Sequence, residues 1–225
     1  MSDIKWQPKT TDTLMHRLLK EQGLADYQSL WRWSVDKKED FWSWVWDNCG
    51  VIGEKGGKVF EAGARMQDAR FFPEAKLNFA ENLLRRRDDE TALVFKGEDK
   101  AERHLTYKEL YDLVSRVRQA LVAEGVGEGD RVAGYLPNMP ETIVAMLAAT
   151  SLGAIWSSAS PDFGVQGVLD RFGQIEPKVL FGVDGYAYNG KWLDCRAKLK
   201  EAAEKIPSVK KAVTISYTEI GRAHV

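Results

Sequence analysis

The chain is poor in the residues that build metal centres and disulfide scaffolds, with two cysteines and three histidines among 225 residues. Cys49 and Cys195 lie far apart and lack the clustered Cys/His spacing of a zinc site or the cysteine density of a small secreted domain, so a reducing, cytoplasmic compartment fits best. His16, His104 and His224 have no nucleophile or second ligand nearby in sequence, which leaves no argument for a metal site or a triad. No apolar run approaches the ~20 residues that cross a bilayer, and the N-terminus, carrying Asp3, Trp6 and Asp12, has no secretory apolar core. Charge of one sign is not in excess either: 32 Lys and Arg against 33 Asp and Glu leave a net charge of −1. Such a balance creates no field that gathers phosphate backbones or anionic lipid, so neither nucleic acid nor membrane is an expected partner. The longest basic run, Arg85-Arg86-Arg87, meets Asp88-Asp89-Glu90 at once and reads as a helix C-terminus beside a solvated turn. Internal repeats and low-complexity segments are also missing.

What is present is enough apolar material for a core. Hydrophobic residues make up 44% of the chain, and a chain of this length buries roughly 70% of its unfolded surface. Six of the eight tryptophans fall between Trp6 and Trp46, which separates an aromatic front from the rest. In the front, the pattern predicts helices over residues 13–22 and 40–49, stopped by Gly23 and Gly50. Phe41, Trp42, Trp44, Val45 and Trp46 are too densely apolar for a surface helix, and core packing is favoured over an aromatic ligand box. Leu77, Ala80 and Leu84 against Asn78 and Glu81 predict an amphipathic helix within residues 70–84. Residues 88–103 are polar, carry one short strand over 91–95, and read as a boundary.

Past Thr106 the pattern becomes regular. A Thr106-x-x-Glu109 capping box opens a helix with Leu110, Val114, Val117 and Leu121 at helical spacing, running to Gly125. Strands follow over 131–136, 154–158, 179–183 and 211–216, separated by helices over 141–152, 165–175 and 193–206. Strands alternating with helices imply βαβ crossovers, so the fold class is α/β: a doubly wound, largely parallel sheet preceded by a Trp-rich, mainly helical extension. Two loops at strand ends then stand out, one with Ser157, Ser158, Ser160, Asp162 and Phe163, the other spanning residues 184–191. If their strands are adjacent, the loops meet above the sheet edge and offer hydroxyls, amides, an aromatic face and one ammonium, which suits a phosphorylated adenine ligand. Ordinary turn chemistry explains the same residues without a ligand.

Two glycine-rich stretches carry no phosphate chemistry. Gly125-Val126-Gly127-Glu128-Gly129 precedes a strand and has Asp130 where a dinucleotide fingerprint needs Gly. Gly53-Glu54-Lys55-Gly56-Gly57-Lys58 has Ile52 at the first glycine of a phosphate loop and Val59 at its Mg²⁺-binding hydroxyl.

Several longer stretches carry a resemblance: Phe41-Trp42-Ser43-Trp44-Val45-Trp46, Gly63-Ala64-Arg65-Met66, residues 69–84, the opening Leu105-Thr106-Tyr107-Lys108-Glu109-Leu110, the turn Ser157-Ser158-Ala159-Ser160-Pro161-Asp162-Phe163-Gly164, and residues 170–181. Together they resemble the acyl-CoA synthetases of the adenylate-forming superfamily, and within these the acetoacetate-CoA ligases, over residues 4–217. The resemblance implies activation of acetoacetate with ATP and Mg²⁺ to an acyl-adenylate, then thioester formation with coenzyme A. It implies an acetyl-CoA-synthetase-type extension over residues 1–100 and the first part of an AMP-dependent synthetase domain over 101–218. In acetyl-CoA synthetases an Arg-Gly-Gly-Arg stretch and a Gly-Phe turn lie at the bound CoA. The matching positions here are Tyr188, Asn189, Gly190 and Lys191, with Asp162 and Phe163, so an ammonium replaces the fork of an arginine.

The family's pyrophosphate-holding Ser/Thr/Gly-rich loop ending in Pro-Lys, its ribose-binding Asp and its late catalytic Lys have no counterpart in these residues. The chain by itself is therefore expected to be an inactive fragment, with no catalytic residue and no metal ligand assigned. Residues 219–225 depart from the family and read as a non-native tail on a truncated reading frame. Two other readings stay open, an acetyl- or propionyl-CoA synthetase-like fragment and a non-catalytic CoA- or nucleotide-binding module.

Overall fold

The structure is a computed structural model that describes residues 10, 12–98 and 101–217, so Trp6, His224 and the tail 219–225 lie outside the described residues. The chain divides into two compact units, Met1–Leu77 and Asn78–Val225.

The first unit contains α1 (Leu14–Glu21), α2 (Tyr27–Asp36), α3 (Lys38–Asn48) and a two-stranded antiparallel ribbon of β1 (Phe60–Glu61) and β2 (Arg70–Phe71). Thr13 caps α1 by accepting the His16 N–H at 3.2 Å, which is the start the sequence predicts. The second helix was not expected; its capping box pairs Asp26 with Ser29, where Glu or Gln is the usual partner. On α3 no residue is fully buried. Its rings instead form an edge-to-face chain: Trp33 to Phe41 at 6.1 Å, Phe41 to Trp42 at 5.2 Å and Trp42 to Phe71 at 5.6 Å between centroids. These rings are partly exposed, the buried aliphatic side chains of the unit being Leu18 and Leu30, and Lys55 pins α3 to the following loop through Ser43 and Asp47 at 2.7 and 2.8 Å.

The helix expected within residues 70–84 is cut down to α4 (Phe79–Leu83). Arg70 and Phe71 pair as a strand instead, and Phe72 turns the chain with φ at 46° just before Pro73, a residue that disfavours helix on its N-terminal side. Asn78 is the N-cap of α4 rather than a face residue, accepting from the Glu81 N–H at 3.0 Å while its Nδ2 donates to the Thr150 carbonyl at 3.0 Å.

In the second unit, β3 (Thr91–Lys96) and β4 (Glu102–Thr106) form an antiparallel hairpin across the stretch read as a boundary. Then come α5 (Tyr107–Ala123), β5 (Arg131–Tyr135), α6 (Pro140–Ser151), β6 (Ile155–Ala159), α7 (Val165–Ile175), β7 (Val179–Val183), β8 (Gly185–Tyr188), β9 (Lys191–Asp194), α8 (Arg196–Lys205) and β10 (Lys211–Ile215). The capping box on α5 is formed, with Thr106 and Glu109 accepting each other's N–H at 3.1 and 2.8 Å. Pro140 is the first residue of α6, where its missing N–H costs nothing.

Four strands make one parallel sheet in the order β10-β7-β5-β6. Alternate residues feed opposite cores. Val132, Val179, Phe181 and Val183 join Leu110, Val114, Leu121 and the alanines of α6 on one face. Ala133, Tyr135 and Leu180 join Val168, Phe172, Leu199 and Ala202 of α7 and α8 on the other. The doubly wound class is thus present in the layering as well as in the topology.

Gly134 lets this layering close. A Cβ there would sit 2.6 Å from the Trp156 ring on the neighbouring strand. Gly134→Ala is expected to lower unfolding free energy by about 1–3 kcal/mol through overpacking, read as an earlier urea midpoint. At the opposite end of the sheet, Lys178 donates to Asp130 at 2.6 Å and to the Gly125 carbonyl at 2.7 Å, while Asp130 also accepts the Gly127 N–H at 2.8 Å. The Lys178 hydrogen bond, then the Gly127 N–H, hold the Asp130 carboxyl below its ordinary value of 3.8. The depressed folded value means this contribution is complete above the unfolded value and is lost as pH falls through the folded one. Asp130→Asn should therefore flatten the acid limb of stability below about pH 4 relative to the parent, measured by urea unfolding across pH.

Candidate functional site

Helices leaving β5 and β6 pass to opposite faces, and it is beyond the carboxyl ends of such strands that open α/β sheets place ligands. The helices that follow the sheet strands, α6, α7 and α8, begin at this rim with Met139, Gly164 and Cys195 as N-caps and with no side-chain cap. By contrast α1, α2, α4 and α5 are capped by Thr13, Asp26, Asn78 and Thr106.

Tyr135 ends β5 and is 1% exposed. Its single hydroxyl proton is shared between the Pro161 carbonyl, at 3.2 Å, and the Phe163 carbonyl. Burial pushes this phenol up to about 12, so it remains a donor throughout the neutral range. In the turn it holds, Asp162 accepts from Ser160 Oγ at 2.9 Å and from the Tyr186 hydroxyl on β8. Lys198 of α8 adds a weaker bond to the Pro161 carbonyl at 3.4 Å. Phe163 stays 40% exposed beneath the Arg171 guanidinium, 4.2 Å from the ring centroid.

Residues 184–191, expected as a loop, instead build the antiparallel hairpin of β8 and β9, with Tyr188 opposite Lys191. Asn189 and Gly190 connect them with φ of 50° and 71°, the doubly left-handed geometry of a two-residue hairpin turn. Because residues 191–194 pair in β9, the helix expected from Leu193 starts only at Arg196. The strands carrying the two loops are not neighbours, since β5 lies between β6 and β7. The loops meet all the same, because Tyr186 reaches from the hairpin to Asp162 in the turn that Tyr135 holds.

Of the residues singled out in the sequence, Asp162 is joined to the hairpin through Tyr186, and Tyr188 has its ring 6.2 Å from that of Tyr186. Phe163 lies next along the same turn. Asn189, Gly190 and Lys191 form the exposed tip, where the Gly190 N–H donates to Glu98 at 3.3 Å. The supporting residues were missed. Tyr135 read as an ordinary strand aromatic and Tyr186 as a loop residue, although the Asn-Gly pair was a legible hairpin signal. Asp184 was missed too: its carboxylate accepts from the N–H groups of Gly185 and Tyr217 at 2.8 and 2.9 Å and from Ser216 Oγ at 3.1 Å. Its backbone binds Ile215 and Cys195 at 3.0 and 2.9 Å. One side chain thus joins the ends of β7 and β10 to the hairpin. The Cys195 thiol, 2% exposed, is pushed up by burial and behaves as a packing group. Among the described residues no cluster of three or more His, Cys, Asp or Glu could hold a metal ion.

A parallel sheet wound on both faces, with its loops gathered at the carboxyl rim, defines an open, doubly wound α/β protein. The chain belongs to the AMP-binding enzyme family, whose model matches residues 79–223, and the model of the acetyl-coenzyme A synthetase N-terminus matches residues 27–83. It is 58% identical to the acetoacetyl-coenzyme A synthetase of Rhizobium meliloti (strain 1021) over 82% of this chain and 28% of that protein. Against the acetoacetyl-CoA synthetase of Danio rerio it is 44% identical over 96% of this chain and 34% of that one. The solved acetoacetyl-CoA synthetase of Streptomyces lividans superposes with a TM-score of 0.82 at 37% identity, covering 92% of this chain and 35% of that structure. The chain therefore spans about a third of the length of the relatives it matches.

Asp184→Ala would leave the Gly185 and Tyr217 N–H groups without their acceptor. It is expected to cost about 2 kcal/mol, more than an exposed carboxylate would, measured as a shift in the urea midpoint.

Proposed function

We propose that this chain is part of an AMP-forming acid-thiol ligase that activates acetoacetate as an acyl-adenylate with ATP and Mg²⁺ and transfers it to coenzyme A. The observation that carries the reading is the match to acetoacetyl-CoA synthetases along 82% to 96% of the chain. Residues 1–100 are then the extension and 101–218 the first part of the synthetase domain, working in the cytoplasm. No helix among the described residues is long and apolar enough to cross a membrane.

Within this reading, the CoA-facing surface consists of Tyr188, Asn189, Gly190 and Lys191 with Asp162 and Phe163. Its support is chemical. The hairpin tip exposes the Tyr188 and Lys191 side chains and the Gly190 backbone, Phe163 offers an open ring, and Lys191 supplies an ammonium for a phosphate. The described residues contain no carboxylate cluster that fits Mg²⁺, and none is assigned to that ion or to ATP. The chemistry of adenylation rests on preorganised charge stabilisation by groups these residues do not contain, so the chain alone carries the binding surface and not the reaction.

The purified chain is expected to show no acetoacetate-dependent ATP-pyrophosphate exchange, and measurable exchange would overturn its assignment as catalytically incomplete. Calorimetry should find CoA binding weaker than micromolar, and weaker still for CoA without its 3′-phosphate. Lys191→Ala should lower the affinity about 2–5-fold and erase that difference, as for one exposed ion pair. Sub-micromolar binding would overturn the expectation that this chain carries only part of the pocket, and no discrimination of the 3′-phosphate by the parent chain would sink the assignment of this surface.

A further inference from the structure

Two loops contribute to the proposed CoA surface, and they leave strands that are not neighbours. The turn over residues 160–164 leaves one edge of the sheet, whereas the β8–β9 hairpin leaves the other side of β5. Polar contacts hold them together. Tyr135 grips the turn from beneath through the carbonyls of Pro161 and Phe163. Tyr186, 6% exposed, reaches from the hairpin to Asp162 Oδ1, while Ser160 Oγ occupies Oδ2 at 2.9 Å.

We infer that the Tyr186–Asp162 hydrogen bond is a latch that sets the position of the Phe163 turn relative to the hairpin tip, so that Tyr186 and Asp162 are positioning residues while Phe163 and Lys191 meet the ligand. The inference rests on the CoA assignment only for its ligand; the latch itself stands on the hydrogen bonds. Two physical points support the division of roles. Each Asp162 oxygen already accepts from one of this protein's hydroxyls, so the carboxylate is engaged in joining the two loops. Burial, and next the Asp162 contact, push the Tyr186 phenol upward, so it keeps the proton that the latch requires.

The test uses amide hydrogen exchange and CoA titration followed by amide chemical shifts, on the full chain. In Tyr186→Phe, which keeps the buried ring, exchange over residues 160–164 and 188–191 is expected to rise about tenfold, with β5 and β7 unchanged. Tyr135→Phe should quicken residues 160–164 alone, because it grips the turn and not the hairpin. Asp162→Asn retains an acceptor for Tyr186 and should keep both loops slow, whereas Asp162→Ala should match Tyr186→Phe. In the parent, CoA should shift the amides of Phe163 and Lys191, and Tyr186→Phe should weaken that binding about tenfold while the thermal midpoint falls by only about 2–4 °C. Unchanged exchange in Tyr186→Phe, or equal quickening in Asp162→Asn and Asp162→Ala, would overturn the latch. Exchange that follows the predicted pattern while CoA leaves the parent's amides unmoved would uphold the latch and overturn the CoA assignment instead.

Discussion

Burial of β5 on both faces is the constraint from which the second unit follows. Val132, Ala133 and Tyr135 are 0%, 0% and 1% exposed, and their side chains alternate between two separate cores. A strand so covered can satisfy its backbone groups only against strands on both sides, which β6 and β7 provide in parallel. Parallel neighbours in turn demand helical crossovers, and crossovers on opposite faces bring every carboxyl-terminal loop to one rim. Gly134 is the point where this arrangement leaves no room for a side chain, since the Trp156 ring fills the space.

The rim acquires its order from a few polar side chains set into apolar surroundings. Tyr135, Tyr186 and Asp184 each connect segments distant in sequence, joining the turn after β6, the hairpin after β7 and the end of β10. Hydrogen bonds of this kind contribute about 1 kcal/mol each when made and cost more when one partner is removed, so their role is to select one arrangement of loops. The groups proposed to face a ligand, Phe163, Tyr188 and Lys191, are exposed by contrast. Around the same rim the residues that order the loops and those proposed for recognition are adjacent but different.

Much of the second unit was legible because helical spacing and strand bursts are local signals. Val165–Ile175 and Val179–Val183 fall where the pattern places them, and Thr106 with Glu109 forms the predicted box. The failures also have local causes. The helix expected across residues 70–84 satisfied an apolar periodicity, but Phe72 and Pro73 impose a turn that periodicity does not register. Asn189-Gly190 was read for its ligand chemistry and not for its backbone preference, so the hairpin and the late start of α8 were both missed. The capping box of α2 escaped notice because Ser29 stands where a longer acceptor is usual.

The amino-acid sequence by itself determined the alternation of strands and helices, the two-sided apolar character of the central strands, and the family to which they belong. These are properties of near neighbours and of pattern. The tertiary structure alone decided that β5 lies between β6 and β7, and that Tyr135, Tyr186 and Asp184 draw the separated loops together. Strand order and hydrogen bonds across 24 to 33 residues of chain depend on where crossovers pass and which polar atoms meet when the cores close, and no local preference encodes that choice.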